Sequence, residues 1–198
     1  MPLPFSTVLA IDPGSRKLGW AVVRAENQVL VRVASGVLRP TGELNVRLGQ
    51  LLTLIGELLA LHPVTEVAIE SAFVHDNPHT ALVLGQARGI PIALATARGL
   101  PVHEYAPAHV KRAVVGSGRA DKHQMQQMIK AVLGLADLPG EDEADALAVA
   151  VTHLRQGAFA QFAAPPVALK AVGEPVITAA KLMYLQAVQR AKAAGGAR

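Results

Sequence analysis

Four carboxylates in the sequence stand where they could act together on one substrate. Asp12 follows the apolar run from Val8 to Ile11, and Glu70 ends a second short apolar segment. Asp142 and Asp145 are three positions apart at the start of a helical pattern, so their side chains share one helix face. Four carboxylates around one notch could hold two Mg²⁺ ions roughly 4 Å apart, the arrangement used for in-line phosphodiester hydrolysis.

Three of these acids, Asp12, Asp142 and Asp145, also have an ordinary structural explanation. An Asp followed by Pro-Gly can bond to its own turn, and acids in a first helical turn complement the helix dipole. The second explanation is weaker for Asp145, because apolar residues follow it directly and predict a tightly packed helix. A carboxylate buried there without a partner would be costly, and a divalent cation removes that cost.

The composition limits which metal and which partner the chain can use. The 198 residues contain no Cys, which excludes disulfides and thiolate metal sites and favours hard ions such as Mg²⁺ or Mn²⁺. A formal net charge of +4 suits a polyanionic partner. The start, Met1 to Pro4, has neither a basic region nor a long apolar core, and the apolar runs elsewhere are short or interrupted. We therefore expect a cytoplasmic protein with no membrane partner.

Hydrophobic periodicity predicts the elements that must position these acids. Three antiparallel strands come first, then alternating helices and strands, and finally three helices. The strands cover Val8–Ile11, Trp20–Val23, Val29–Leu38, Glu66–Glu70 and Pro101–Tyr105, and the helices cover residues 43–61, 78–97 (as one helix or two shorter ones), 107–115, 121–133 and 141–156. If the first and fourth strands are neighbours, Asp12 and Glu70 leave the sheet at the same edge, and the last helix can lie across it.

Basic residues surround a glycine-rich loop at residues 116–120. Such a loop can approach phosphates closely while cations neutralise them, although a solvated charged surface explains the same pattern. These candidate DNA-binding residues are Lys111, Arg112, Arg119 and Lys122.

Aromatic and histidine residues add further candidates. Phe73, three positions after Glu70, is either an exposed platform on which a base stacks or a core residue. His75 and His79 are spaced poorly for a metal site around Pro78 and stay unassigned. His103 and His153 are expected to be structural.

Several of these motifs together resemble one known family. They are Ile11-Asp12-Pro13-Gly14-Ser15 and the segments 68–73, 84–89 and 142–148. With the order of elements, they closely resemble the bacterial RuvC family of Holliday junction resolvases over about residues 7 to 155. The resemblance implies an α/β fold of the ribonuclease H-like type, with a mixed five-stranded sheet flanked by helices. It also implies that Asp12, Glu70, Asp142 and Asp145 are the catalytic, metal-binding acids, holding two Mg²⁺ or Mn²⁺ ions.

The resemblance extends to partners and DNA contacts. Lys111 and Lys122 match basic residues that the family places near DNA and the scissile phosphate, and Phe73 matches an aromatic that stacks at the junction centre. The implied partners are four-way junction DNA, a second copy of the chain, and the branch-migration proteins RuvA and RuvB. The implied activity is a metal-dependent endonuclease that makes paired symmetric nicks in recombination and repair.

Domain organisation and two rival functions complete the predictions. Residues 1–157 are predicted to form the nuclease domain, and residues 158–198 an Ala- and Pro-rich tail that is partly helical or disordered. One rival is a sugar kinase or ATPase of the actin-like fold, since Asp12-Pro13-Gly14-Ser15 also resembles its phosphate-binding hairpin; 198 residues are short for its two domains. The other is a junction-binding module without catalysis.

Overall fold

The computed structural model describes residues 6–26, 29–71 and 77–160, with side chains up to residue 156. Five strands form one mixed sheet in the order β3-β2-β1-β4-β5. They are β1 (Ser6–Asp12), β2 (Leu18–Glu26), β3 (Val29–Leu38), β4 (Glu66–Glu70) and β5 (Val102–Tyr105). β1, β2 and β3 pair antiparallel, whereas β4 runs parallel to β1 and to β5. This is the α/β arrangement that the sequence predicts.

Five helices flank this sheet within the described ranges. They are α1 (Leu44–Leu61), α2 (Pro78–Ala97), α3 (Pro107–Val115), α4 (Lys122–Leu133) and α5 (Glu141–Ala160). Asn77 caps α2 by accepting hydrogen bonds from the backbone N–H groups of His79 and Thr80. α2 is one helix and not two, although Pro91 lies inside it and is buried.

Each face of the sheet is covered by a separate core. Val8, Ala10 and Ala68 point to one face, where they pack with α3, α4 and α5. Leu9, Ile11 and their neighbours point to the other face, where they pack with α1 and α2. Since both faces are buried, β1 and β4 read as continuous apolar runs and do not alternate. Every second residue of β1 and β4, including Asp12 and Glu70, therefore faces α5.

Two helices are longer and more apolar than the sequence interpretation expects, which treats every apolar run as too short or too interrupted to span a membrane. By length and composition alone, α1 and α2 are apolar enough to cross a bilayer, with mean hydropathies of 1.4 and 1.2. The core helices of soluble proteins pass the same test. α1 buries Leu51, Ile55 and Leu59 completely or nearly so against the sheet.

Candidate active site

The sheet register brings Asp12 and Glu70 to adjacent positions at one edge. β1 and β4 pair in parallel through Ile11 and Ile69, and in each strand the next residue is the acid. The two residues are the last of their strands, so the carboxylates leave the sheet side by side. Their common face is the one that α5 covers.

A close approach of α5 to β2 positions the other two acids. Gly19, the partner of Asp12 in the antiparallel ladder, lies directly beneath the backbone of Asp142. A Cβ atom at Gly19 would come within 1.9 Å of the Asp142 carbonyl oxygen, so this approach requires glycine. Asp142 and Asp145 occupy the first two turns of α5 and thus lie over the end of β1.

Burial and mutual repulsion make Asp12, Glu70 and Asp145 reluctant to ionise. Burial above all, and then the negative charges of Glu70, Asp145 and Asp142 in that order, raise the pKa of Asp12 to about 8. Burial, and then the charge of Asp145, raise the pKa of Glu70 to about 7. The pKa of Asp145 is raised as well, mainly by burial. The four predicted acids thus interact as one cluster.

Two of the predicted basic residues act electrostatically on this cluster. Lys122, at the start of α4, opposes the rise in the pKa of Asp12 and Asp145, and Lys111 on α3 opposes it at Glu70 and Asp145. The Nζ atom of Lys122 lies 2.6 Å from Oε2 of Glu141, a bond that raises the pKa of the lysine. Both lysines therefore stand at the rim of the acidic cluster.

The remaining predicted DNA-binding residues are less closely connected to the acids. Arg112 and Arg119 are exposed on α3 and on the following loop, and neither forms an ion pair with any acid of the described segments. Phe73 and His75 lie outside the described residues. His79 is exposed in the first turn of α2.

Two residues near the site are not predicted from the sequence. Arg47 is only 8% exposed, and its guanidinium donates hydrogen bonds of 2.9 and 2.8 Å to the carbonyl oxygens of Ser15 and Gly42. It thereby anchors the loop that follows Asp12. Lys17 in the same loop lies 3.9 Å from the Asp142 carboxylate. One feature of the sequence could have indicated that Arg47 is buried. It occupies the first position of the i, i+4 series that continues with Leu51, Ile55 and Leu59.

A second cluster lies at the other end of β4. Glu66 accepts hydrogen bonds from Ser6, His103 and His153. Burial alone would raise the pKa of Glu66, but these hydrogen bonds outweigh it and hold the pKa well below its ordinary value. His103 and His153 are thus not isolated core histidines, and they share one carboxylate.

The fold and the acidic cluster together define the class of protein. The sheet is mixed and five-stranded, and carboxylates lie at the ends of two neighbouring strands and on the helix that covers them. This is the ribonuclease H-like arrangement, in the form that resolvases have. The sequence model of the family described as crossover junction endodeoxyribonuclease RuvC matches residues 8–153.

Relatives of this chain carry the same description. Crossover junction endodeoxyribonuclease RuvC of Anaeromyxobacter dehalogenans is 51% identical over 156 residues, covering 77% of this chain and 83% of the relative. The protein of the same name from Burkholderia vietnamiensis is 46% identical over 151 residues, covering 76% and 84%. The structure of Thermus thermophilus RuvC in complex with a Holliday junction substrate superimposes with a TM-score of 0.72 at 30% identity, covering 78% and 96%. The chain belongs to the RuvC family.

Proposed function

We propose that this chain is a metal-dependent Holliday junction resolvase, an endonuclease that makes paired symmetric nicks in four-way DNA junctions. The observation that carries the proposal is the convergence of Asp12, Glu70, Asp142 and Asp145 at one sheet edge, where burial and mutual repulsion raise the pKa of three of them. Without a cation such a cluster is unfavourable, so its chemistry calls for one. Family membership supports the same activity.

The donor set of the cluster fits Mg²⁺ or Mn²⁺. All of its ligand atoms are carboxylate oxygens, which hard divalent ions prefer. Asp12 and Glu70 would hold the ions from the sheet, and Asp142 and Asp145 would hold them from α5. Two such ions, when bound, would activate an attacking water and stabilise the leaving 3′ oxygen.

The lysines beside the cluster provide the attraction for DNA. Lys111 and Lys122 carry positive charge at the rim of the acids, so a phosphate that enters the site lies between cations. The exposed Arg112 and Arg119 extend this positive surface along α3 and the loop after it. Phe73 completes the proposed contact set as a base-stacking residue.

The proposed assembly of the protein follows from the symmetry of its substrate. A four-way junction has pseudo-twofold symmetry and is cut in two strands, so we infer a homodimer with one site in each subunit. RuvA and RuvB are the proposed partners, and the cytoplasm is the proposed location. We further propose that residues 1–157 form the nuclease domain and residues 158–198 a separate tail.

A nicking assay tests the proposal. A synthetic mobile four-way junction is incubated with the full chain and Mg²⁺ or Mn²⁺, beside the variant Asp12→Asn and the surface control Asp137→Asn. The parent and Asp137→Asn are expected to make paired symmetric nicks, and Asp12→Asn is expected to bind the junction without cutting it. A parent that binds but never nicks with either metal would instead be a junction-binding module. Equal cutting by Asp12→Asn would refute the assigned role of the acids.

A further inference from the structure

The cluster around Glu66 has the composition of a metal site. The Nε2 atoms of His153 and His103 lie 2.9 and 3.3 Å from the same oxygen, Oε2 of Glu66. One potential ligand atom from each of the three residues lies within 4.8 Å of the other two. The described residues contain no other group of three histidines or acids that meets this criterion.

The spacing of these atoms suits one tetrahedral cation. Ligand atoms that bind Zn²⁺ at about 2.0–2.2 Å in tetrahedral geometry lie roughly 3.3 Å from one another. The observed separations of 2.9 and 3.3 Å from the Glu66 oxygen are close to this value. Two imidazoles and one carboxylate are also a ligand set that zinc proteins use, with a fourth position left for water.

Outer hydrogen bonds hold the ligands in orientation. The Tyr105 hydroxyl lies 2.7 Å from Nδ1 of His153, and the Ser6 hydroxyl donates to Oε1 of Glu66. These bonds occupy the atoms of His153 and Glu66 that point away from the cluster. In the metal-free protein Nε2 of His153 donates to Glu66. Because a hydroxyl can donate or accept, Tyr105 can accept an Nδ1–H instead when the proton leaves Nε2 and that nitrogen binds a cation.

The cluster is open to solvent on one side. The side chain of His103 is 41% exposed, whereas those of Glu66 and His153 are 21% and 7% exposed. A cation can therefore enter past His103, and a water ligand can occupy the fourth position.

We propose that Glu66, His103 and His153 form a second divalent-cation site, of the zinc-binding type, distinct from the four-carboxylate cluster. Glu66 and Glu70 are four positions apart on β4, roughly 13 Å at about 3.3 Å per residue. The two donor sets also select different ions, since imidazole suits Zn²⁺ and carboxylates alone suit Mg²⁺. A cation here would join β4, β5 and α5, the helix that also carries Asp142 and Asp145.

Zinc titration of the full chain tests this proposal. The starting protein of this test, called the parent in this subsection, is the variant Asp12→Asn, in which the acidic cluster is weakened. Its affinity for Zn²⁺ is measured by competition with a chromophoric chelator. We expect one Zn²⁺ per chain, with Co²⁺ giving the intense visible bands of tetrahedral coordination. Adding His103→Ala is expected to weaken Zn²⁺ binding by about a hundredfold or more, while adding His123→Ala, an exposed histidine on α4, leaves it unchanged.

A second variant separates a metal site from a hydrogen-bonded network. Tyr105→Phe keeps the ring but removes the hydroxyl that orients His153, and loss of such an outer partner costs about 10- to 100-fold in metal affinity. We expect Zn²⁺ to raise the melting temperature of the parent and to raise it less in Tyr105→Phe and in His103→Ala. The proposal is overturned if the parent binds no Zn²⁺, or if His103→Ala binds it as tightly as the parent. The nicking assay is not part of this test, so either proposal can fail alone.

Discussion

The acidic cluster makes the stability of the metal-free protein depend on pH in an unusual direction. Asp12 has an ordinary pKa of 3.8 in the unfolded chain, and burial raises the pKa to about 8 in the folded protein. Between these values the folded state holds a proton that the unfolded state has lost. The free energy of unfolding therefore falls as the pH rises from about 4 to about 8. Glu70, with a pKa raised to about 7, acts in the same direction.

The size of the effect follows from the separation of the two pKa values. For Asp12 alone, the raised pKa lowers the free energy of unfolding, relative to a pH below both pKa values, by roughly 2 kcal/mol at about pH 5 and roughly 5 kcal/mol at about pH 8, at about 1.4 kcal/mol per pH unit. After allowance for solvent reaching the ionised group, we expect a difference of roughly 2 to 4 kcal/mol. In a domain of this size that corresponds to roughly 5 to 15 °C in melting temperature. Glu66, with its low pKa, gives the opposite dependence only at more acidic pH.

The assay is thermal unfolding in a chelator at several pH values from about 5 to about 8. Asp12→Asn removes the ionisation, so it is expected to melt above the parent, and by more at about pH 8 than at about pH 5. Millimolar Mg²⁺ is expected to raise the melting temperature of the parent at the higher pH and to affect Asp12→Asn much less. Asp137→Asn, an exposed acid, serves as the matched control. If Asp12→Asn is less stable than the parent at about pH 8, or its advantage does not change with pH, the account of the cluster is wrong.

Other perturbations test how the elements position the site. Gly19→Ala places a methyl group 1.9 Å from the carbonyl oxygen of Asp142, so the nicking rate and the melting temperature are both expected to fall. The control Gly49→Ala lies on an open helix surface and is expected to be neutral in thermal unfolding, or stabilising by up to about 1 kcal/mol. Arg47→Lys removes the guanidinium that donates hydrogen bonds to two loop carbonyl oxygens. Urea titration is expected to show a free energy of unfolding lower by roughly 1 to 3 kcal/mol, and nicking is expected to be slower. Unchanged nicking would contradict the anchoring role of Arg47. Asn77→Ala removes the cap of α2 and is expected to cost about 1 kcal/mol in the same titration, and no loss would show that the cap is dispensable.

Most of the fold is predictable from the sequence because its local signals agree with its long-range packing. The apolar run before Asp12 and the one before Glu70 are strands, and the repeat of leucines through α1 is a helix. The ribonuclease H-like fold with a mixed five-stranded sheet came from the family resemblance, and the structure confirms it. The strand order itself is not predicted, since the adjacency of the first and fourth strands is only a condition of the argument from the sequence. The exact strand ends are less predictable, since β1 begins two residues before the apolar run.

The features that the sequence does not reveal depend on contacts between distant elements. Nothing in the residues around Gly19 indicates that the backbone of Asp142 lies against it. Likewise, Glu66 reads as a polar strand start until His103 and His153, from β5 and α5, are brought beside it. Local periodicity contains no information about which side chains meet across such distances, so only the register and the helix packing can show it.

The contribution of α5 to the acidic cluster has a consequence for the order in which the protein is made. The ribosome completes β1 early, but Asp142 and Asp145 emerge only after every strand of the described sheet has been synthesised. The same helix supplies Leu147, Val149 and Val151 to the core on that face of the sheet, which stays incomplete until then. A nascent or truncated chain that ends before α5 therefore has half of the carboxylates and an incomplete core. On the proposed function, we therefore expect a chain that ends before α5 to be unable to cut DNA.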